Sequence, residues 1–199
     1  MAENLNYGVF TSGAGDQTAG QKYCYDDDPD SCLELGGLYQ WHTALGLDAS
    51  CDGAECEGLL SGLVQGACPP AWHVPTASEW RSLVDIAEAI NSEAAYVLKS
   101  TANWATNPST GIGGPGTDDL GFSAVAGGGR YPVGYSCAGS ALQEGDNFCW
   151  GRRFRGMWWT TGESSSAEAS FYDVSDDQPN VARMDGPKSY GLSLRCIQD

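Results

Sequence analysis

Apolar residues recur at helical spacing between residues 77 and 91 of the chain. One face of a helix with 3.6 residues per turn would collect Trp80, Leu83, Val84, Ala87 and Ile90. Thr76 lies three residues before Glu79, which is the pattern of a capping box, and a proline precedes it. The sequence therefore predicts an amphipathic helix from about Ala77 to Asn91.

A shorter apolar pattern runs from Gly37 to Leu45. A second helix over this stretch would present on one face Leu38, Trp41, Ala44 and Leu45. The glycines at its start are equally compatible with a turn. We keep both interpretations open.

Short runs of β-branched, aromatic and aliphatic residues follow toward the C-terminus. The strands they predict are Met157 to Thr161, Ser170 to Val174, Asn180 to Met184 and Leu192 to Ile197. Turn signals separate them, for example at Asp185-Gly186-Pro187. This pattern is typical of an antiparallel meander.

Glycine is abundant, with 27 residues. Its clusters in the middle of the chain are Gly113-Gly114, Gly127 to Gly129, Gly134 and Gly139. Clustered glycine favours turns and long irregular loops. We therefore predict an α+β fold in which two helices are followed by a small twisted antiparallel sheet with long Gly-rich loops. The 199 residues fit a single domain, 1–199.

The chain is strongly acidic, with ten Lys and Arg against 26 Asp and Glu and a net charge of −16. Such a field repels phosphate backbones, so nucleic acid is not an expected partner. No apolar run approaches the ~20 residues of a membrane span.

Basic residues concentrate in one place, at Arg130, Arg152, Arg153 and Arg155. They either neutralise local carboxylates such as Glu144 and Asp146 or contact an anionic ligand. The sequence leaves both interpretations open.

Eight cysteines are an even number without a repeated C-x-x-C pair, and only two histidines accompany them. This pattern favours disulfides over a zinc site. Disulfides persist in oxidising compartments, so we expect an extracellular or cell-surface location. Spacing alone does not fix the connectivity.

Catalytic candidates are few. His42 and His73 are the only histidines, and neither a G-x-S-x-G nor an H-E-x-x-H pattern is present. Cys137 and Cys149 are the one redox pair to consider, but their glycine- and serine-rich surroundings fit a loop disulfide better. We expect the protein not to be an enzyme.

Calcium is the one metal to consider, and no other cofactor is expected. The acidic cluster between Cys24 and Cys32 consists of Asp26, Asp27, Asp28 and Asp30. Four carboxylates in one small loop either stay solvated or gather a hard cation. The spacing is not that of an EF-hand loop.

Several motifs occur in an order that resembles a known family. Two of them, Gly66 to Thr76 and Tyr190 to Cys196, each place one cysteine beside a short apolar run. The others are Met1 to Tyr7, Cys24-Tyr25, Gly37 to Trp41, Gly121 to Ala124, Trp158 to Thr161 and Lys188 to Gly191. The chain is similar to the Fibrobacter succinogenes major paralogous domain, a bacterial extracellular module.

The resemblance implies a C-type lectin-like fold of the kind that formylglycine-generating enzymes also have. Together with local spacing, it implies four disulfides: Cys24 with Cys32, Cys51 with Cys56, Cys68 with Cys196 and Cys137 with Cys149. In the family a Gly-rich strand usually precedes the segment matching Met1 to Tyr7. We therefore expect a first strand to be missing here or to be supplied by another segment.

The departures from the family pattern imply a binding surface. Small polar residues follow the Trp-Trp motif, and Ala182 stands where a tyrosine is usual, while the flanking framework is retained. The predicted ligand-binding residues are Trp150, Arg152, Arg153, Arg155, Glu163, Ser164, Ser165, Ser166, Glu168, Ser170, Tyr172, Ala182, Met184 and Asp185. Similar proteins include variable proteins of diversity-generating retroelements, whose diversified segment would correspond to Trp158 to Arg195.

The leading hypothesis is a non-enzymatic extracellular module that binds a protein or glycan ligand. The alternative is a structural subunit of a surface layer or filament, which self-associates by strand addition. A formylglycine-generating type of oxidase is a third and weaker hypothesis.

Overall fold

The computed structural model describes residues 1–12, 15–106, 113–131 and 149–199. The described residues form four α-helices: α1 (Pro29–Leu35), α2 (Trp41–Leu45), α3 (Ala77–Ile90) and α4 (Ala94–Leu98). Their strands are β1 (Val9–Phe10), β2 (Gln21–Lys22), β3 (Trp72–His73), β4 (Gly127–Arg130), β5 (Cys149–Arg152), β6 (Arg155–Glu163), β7 (Glu168–Ser175), β8 (Ala182–Pro187) and β9 (Ile197–Gln198). The fold is α+β as predicted, but it has four helices rather than two.

The main sheet has five strands in the order β5-β4-β6-β7-β8. β6, β7 and β8 form the predicted antiparallel meander, in which Trp158 lies opposite Tyr172 and Phe171 opposite Met184. β4 runs parallel to β6 and antiparallel to β5. The sheet is therefore mixed, and the prediction of a purely antiparallel sheet was wrong.

β4 is made from a glycine cluster that the sequence placed in a loop. A Cβ at Gly129 would lie 2.9 Å from Cδ2 of Leu192 and 3.0 Å from Cε of Met157. Glycine here lets the C-terminal segment approach the strand backbone closely. The loop prediction was wrong because this clustered glycine serves close packing and not a turn.

The last segment of the chain crosses the centre of the fold instead of adding a fourth strand to the meander. Leu192 bridges Tyr39, and Ser193 bridges Trp158 in parallel. The regular strand β9 begins only at Ile197 and pairs with β3. The sequence therefore located an extended segment correctly but not its partners.

α3 confirms the predicted helix and its cap. The Thr76 hydroxyl accepts the Glu79 N–H at 3.2 Å, and the Glu79 carboxylate accepts the Thr76 N–H at 2.8 Å. α2 is shorter than predicted, because Leu38 and Tyr39 are extended and bridge other segments.

Two helices were not predicted. α1 begins at Asp28, whose carboxylate accepts the Asp30 N–H at 3.0 Å, with Pro29 at the first helical position. These capping signals lie within the acidic cluster that the sequence analysis considered as a calcium loop. α4 has five residues, four of them buried, so its sequence shows no amphipathic period.

β8 begins two residues later than predicted and continues through the expected turn at Asp185-Gly186-Pro187. Gly186 packs beneath the Phe171 ring, where a Cβ would lie 3.0 Å from Cε1. Pro187 is tolerated because β8 is an edge strand of the sheet.

The hydrophobic core lies on both faces of the sheet. Met157, Trp159 and Phe171 pack on one face with α2 and the C-terminal segment. Trp158 and Tyr172 pack on the other face with α3 and α4. Alternate residues of β6 and β7 point to opposite faces, so both faces of the sheet are covered.

Three predicted disulfides are confirmed, and they join Cys24 to Cys32, Cys51 to Cys56 and Cys68 to Cys196. The fourth predicted pair, Cys137 with Cys149, lies outside the described residues. No helix in the described ranges is long and apolar enough to cross a membrane.

Candidate ligand-binding cleft

A cleft of about 960 Å³ opens beside the turn that joins β5 to β6. Residues from five short segments of the chain line it: Tyr25, Asp26, Glu34, Leu35, Asn103, Trp104, Ala105, Thr106, Ala126, Arg152, Arg153 and Phe154. Two of the predicted arginines and one of the predicted acidic residues therefore share one cavity.

The turn that carries the arginines is fixed by backbone hydrogen bonds. The Phe154 N–H donates to the Gly151 carbonyl at 2.8 Å, and Arg153 between them has a left-handed φ of 70°. The Arg153 N–H donates to Ala126, and its carbonyl accepts the Ala105 N–H at 2.7 Å. These bonds fix the backbone from which both arginine side chains extend into the cleft.

The two arginines differ in what they contact. Arg152 pairs with Glu34 of α1 at 3.0 Å, and its guanidinium lies 5.6 Å from the centre of the Tyr25 ring. Arg153 is exposed, and its side chain has no ion pair or hydrogen bond within the described ranges. Arg153 is therefore the cation that a ligand could engage without breaking an existing pair.

The opposite wall of the cleft is anchored to the body of the domain. The Trp104 indole N–H donates to the Ala124 carbonyl at 2.9 Å, and the Lys99 ammonium lies 4.8 Å from its ring centre. Asn103 before it is exposed and left-handed, with a φ of 66°. With Asp26 at 58° and Arg153, three non-glycine residues of this cleft hold uncommon backbone conformations.

The predicted calcium residues do not converge on one point. Asp26 lines the cleft, and burial raises its pKa although Arg152 opposes the shift. Asp27 bonds the Arg130 guanidinium at 2.8 Å, Asp28 caps α1, and Asp30 is exposed. Among the described residues, no group of three or more His, Cys, Asp or Glu side chains is arranged to hold a metal ion.

The other predicted arginines are already paired with carboxylates. Arg155 makes two hydrogen bonds to the buried Asp173, at 3.0 and 2.8 Å. Arg130 pairs with Asp27. Neutralisation of carboxylates therefore does occur in the basic cluster, with partners other than Glu144 and Asp146, which lie outside the described residues. The side chain of Trp150 also lies outside them.

The predicted residues after the Trp-Trp motif lie at the far end of β6. The Glu163 side chain is 6% exposed and ion-paired with Lys188. The buried Ser170 hydroxyl lies 2.6 Å from that of Thr160. The turn between β6 and β7 contains Ser164, Ser165, Ser166 and, at its end, Glu168, and all but the half-buried Ser165 are exposed. The Ser165 hydroxyl accepts the Glu168 N–H at 3.1 Å.

The remaining predicted residues lie on β7 and β8. Tyr172 is buried and stacks on Trp80 with ring centres 5.1 Å apart, and its hydroxyl donates to the Ala77 carbonyl. Ala182, Met184 and Asp185 are exposed on β8.

The structure therefore divides the predicted surface between two ends of the sheet. Arg155 and Glu163 begin and end β6, which places them roughly 26 Å apart at the usual rise of about 3.3 Å per residue. Only the arginine end adjoins the large cleft. Sequence reasoning missed the other nine lining residues, and those with polar or aromatic side chains are Tyr25, Glu34, Asn103, Trp104, Thr106 and Phe154. Only Tyr25 lies in a quoted family motif; the others come together through the tertiary fold.

Both histidines are held in structural contacts away from the cleft. His73 lies 2.9 Å from Glu79 and 2.8 Å from Asp199 through its two ring nitrogens. His42 is buried, with Nε2 3.0 Å from the Gln17 carbonyl and Nδ1 3.0 Å from the Asp52 carboxylate. Burial disfavours protonation of both rings, but the carboxylates outweigh it and raise the pKa of each.

The fold and the cleft define a disulfide-braced α+β domain with a surface cavity beside its mixed sheet. Residues 1–198 match the family model of the Fibrobacter succinogenes major domain. The chain belongs to this family. No curated protein and no solved structure matches it.

Proposed function

We propose that this protein is a non-enzymatic extracellular module and that the cleft beside the β5–β6 turn holds its protein or glycan ligand. The observation that carries the proposal is Arg153, an exposed cation on a fixed left-handed turn at the edge of a cavity of about 960 Å³. The aromatic side chains around it can pack against apolar parts of such a ligand, and the amide and carboxylate groups can form hydrogen bonds with its polar groups.

The rigidity of the cleft walls supports the proposal. The Cys24–Cys32 disulfide closes the segment that carries Tyr25 and Asp26, and the Arg152–Glu34 pair joins the turn to α1. Preorganised walls reduce the ordering cost of binding. The three disulfides fit the extracellular location.

A C-type lectin-like fold and a diversified C-terminal segment are part of this proposal. Within Trp158 to Arg195, β7 is buried from Ala169 to Ser175, whereas Ala182, Met184 and Asp185 of β8 are exposed. If the segment is diversified, substitutions among near-copies of its coding sequence will fall at the exposed positions. The neighbouring DNA would then carry a reverse transcriptase gene and an adenine-biased near-copy of the segment. If both the reverse transcriptase gene and the near-copy were absent from the neighbouring DNA, this part of the proposal would be refuted.

The site assignment is tested by ligand capture with variants of the two ends of β6. A glycan array and a surface-protein pulldown are run with the wild type, with R153E/N103A and with a scrambled Ser164 to Glu168 turn. We expect R153E/N103A to lose capture at least ~10-fold, because one charge-assisted hydrogen bond is lost. The scrambled turn should capture ligand as the wild type does. The reverse pattern would move the site to the turn, and equal capture by all three would refute both assignments.

A second candidate function, assembly with further copies of the chain, is favoured by the free edge of β8. The Lys188 N–H donates to the Ala167 carbonyl, and the β7–β8 pairing continues from there without a break. Because hydrogen-bonded pairs alternate in antiparallel sheets, the backbone groups of Arg183 and Asp185 face outward. No strand pairs with this outer edge in the described ranges.

The charges of β8 select one register for pairing two such edges. In an antiparallel pair centred on Met184, Arg183 of each copy lies opposite Asp185 of the other, which is favourable. Sliding one strand by two residues in either direction keeps the backbone hydrogen bonds between the edges. It then places Arg183 opposite Arg183 of the other copy, or Asp185 opposite Asp185, and like charges repel. The second candidate therefore predicts a two-fold dimer through β8.

Sedimentation equilibrium at increasing concentration tests this candidate. We expect self-association of the wild type, its loss in D185R, and its recovery in the charge-swapped double variant R183D/D185R. A wild type that stays monomeric up to about 1 mM, where association would be worth no more than about 4 kcal/mol, would refute it.

A further inference from the structure

A second cavity, which shares no lining residue with the cleft, lies where the start of α3 meets the C-terminal segment. Its volume is about 200 Å³. The walls are mainly apolar and are formed by Met1, Pro75, Trp80, Leu83, Phe122, Cys196 and Ile197, together with Glu79 and Arg195.

Arg195 brings a buried positive charge to this cavity without a carboxylate partner. The side chain is 3% exposed. Its guanidinium donates to the Asn4 side-chain carbonyl at 2.8 and 3.2 Å and to the backbone carbonyls of Phe122 and Ser123. These acceptors are all neutral, and no carboxylate lies within ion-pair distance among the described residues. Burial lowers the pKa of Arg195 to about 9. Asp118 and Glu3 oppose this shift from a distance. A buried cation is usually paired in direct contact, so Arg195 is a candidate partner for an anion that enters this cavity.

Trp80 supplies an independent sign of a missing partner. Its indole N–H is buried and has no hydrogen-bond acceptor in the described part of the chain. Other buried tryptophans each donate to an oxygen at 2.7 to 3.0 Å: Trp41, Trp104, Trp158 and Trp159. Since buried indole N–H groups are normally paired, the acceptor for Trp80 is one that the described residues do not provide.

The size and walls of the cavity limit what that acceptor can be. A cavity of about 150 Å³ with apolar walls holds a benzene molecule, so this one has room for a single aromatic ring with a small substituent. Phe122 and Trp80 both line the wall, where their rings meet edge to face with centres 5.5 Å apart. The Glu79 carboxylate also lines the cavity, but His73 at 2.9 Å and the Thr76 cap engage it. A single negative charge on the ligand is therefore favoured over two.

We propose that this cavity binds a small aromatic monocarboxylate, whose ring packs between Leu83 and Phe122 and whose carboxylate accepts hydrogen bonds from Trp80 and Arg195. The proposal is independent of the cleft and of the function proposed for it.

Titration calorimetry of the full chain with benzoate, and with neutral benzamide as the matched compound, tests the proposal. We expect benzoate to bind saturably with a Kd of about 1 mM or tighter. Benzamide should bind at least ~10-fold more weakly, because it lacks the charge that Arg195 requires. No saturable benzoate binding up to 20-fold above that concentration, or equal affinities for the two compounds, would overturn the proposal.

Two substitutions on the same helix locate the binding. L83W fills the cavity, whereas I86W places the same ring on a residue that is 55% exposed and lies outside it. We expect L83W to weaken benzoate binding at least ~10-fold, because the ligand would lose most of its buried contact area. I86W should leave benzoate binding unchanged. I197W fills the cavity from the opposite wall and replaces L83W if that variant does not fold. Unchanged binding by a folded filling variant would place the ligand elsewhere and refute the assignment.

Discussion

Lys188 and Glu163 form an ion pair in which both side chains are almost completely buried, with 0% and 6% of their area exposed. The Lys188 ammonium also donates to the carbonyls of Cys51, Ala54 and Ser166 at 2.8 to 2.9 Å. Glu163 accepts the backbone N–H groups of Cys56 and Glu57. The pair therefore joins the small disulfide loop at Cys51–Cys56 to the end of β6 and to the β6–β7 turn.

Removing the ammonium should destabilise the fold strongly. K188M keeps most of the side-chain volume but leaves the Glu163 carboxylate buried without its cation, which costs about 3–5 kcal/mol. The free energy of unfolding is measured from urea denaturation midpoints at constant slope. The control is R183M, which removes an exposed pair with Asp185 and should cost less than about 1 kcal/mol. A K188M midpoint no lower than that of R183M would contradict this account.

The three disulfides should contribute unequally to stability. The Cys68–Cys196 bridge spans 128 residues of sequence, whereas Cys51–Cys56 spans five. The chain-entropy model gives about 5 kcal/mol for the long loop and about 2 kcal/mol for the short one. Thermal unfolding of C68A/C196A and C51A/C56A checks the order. A larger fall in the unfolding temperature of C51A/C56A than of C68A/C196A would show that local contacts, not loop closure, determine how these bridges stabilise the fold.

Stability should fall as the pH rises above about 6.5, the usual pKa of histidine. The folded protein raises the pKa of His42, so the folded state binds a proton more tightly than the unfolded chain does. The stabilisation is complete below the unfolded pKa and is lost as the pH rises through the folded pKa.

Asp52→Asn isolates the part of this effect that belongs to His42, because Asp52 contributes the bond and the charge that raise its pKa. Urea midpoints are compared for the wild type and the variant between pH 6 and pH 9. The variant should be less stable than the wild type at pH 6, and the difference should shrink toward pH 9. A difference that grows with pH would contradict the raised pKa of His42.

The parts of the fold that the sequence predicted were those specified by local chemistry. The capping box at Thr76 and Glu79 and the apolar face behind it predicted α3 to within one residue. The alternating strands from Met157 onward predicted the meander. In both places the local pattern and the tertiary packing favour the same structure.

The misses arose where tertiary packing gives a residue a different role from its local one. Gly129 reads as a loop residue, but it is glycine because Leu192 packs on its backbone. Asp28 reads as part of an acidic loop, but its carboxylate begins α1. The candidate binding surface was predicted only in part, because some of its residues meet only through tertiary packing. Arg152 and Arg153 stand out in the sequence, whereas Asn103 and Glu34 reach the same cleft only through contacts that no local pattern shows.

The central claim is that ligand binds beside the β5–β6 turn. Amide hydrogen exchange, measured with and without the ligand recovered from the array or pulldown, tests it most directly. We predict slowed exchange at residues 103–106 and 152–154, with no change at residues 164–168. Protection confined to residues 164–168, or absent from the walls of the cleft, would contradict the claim.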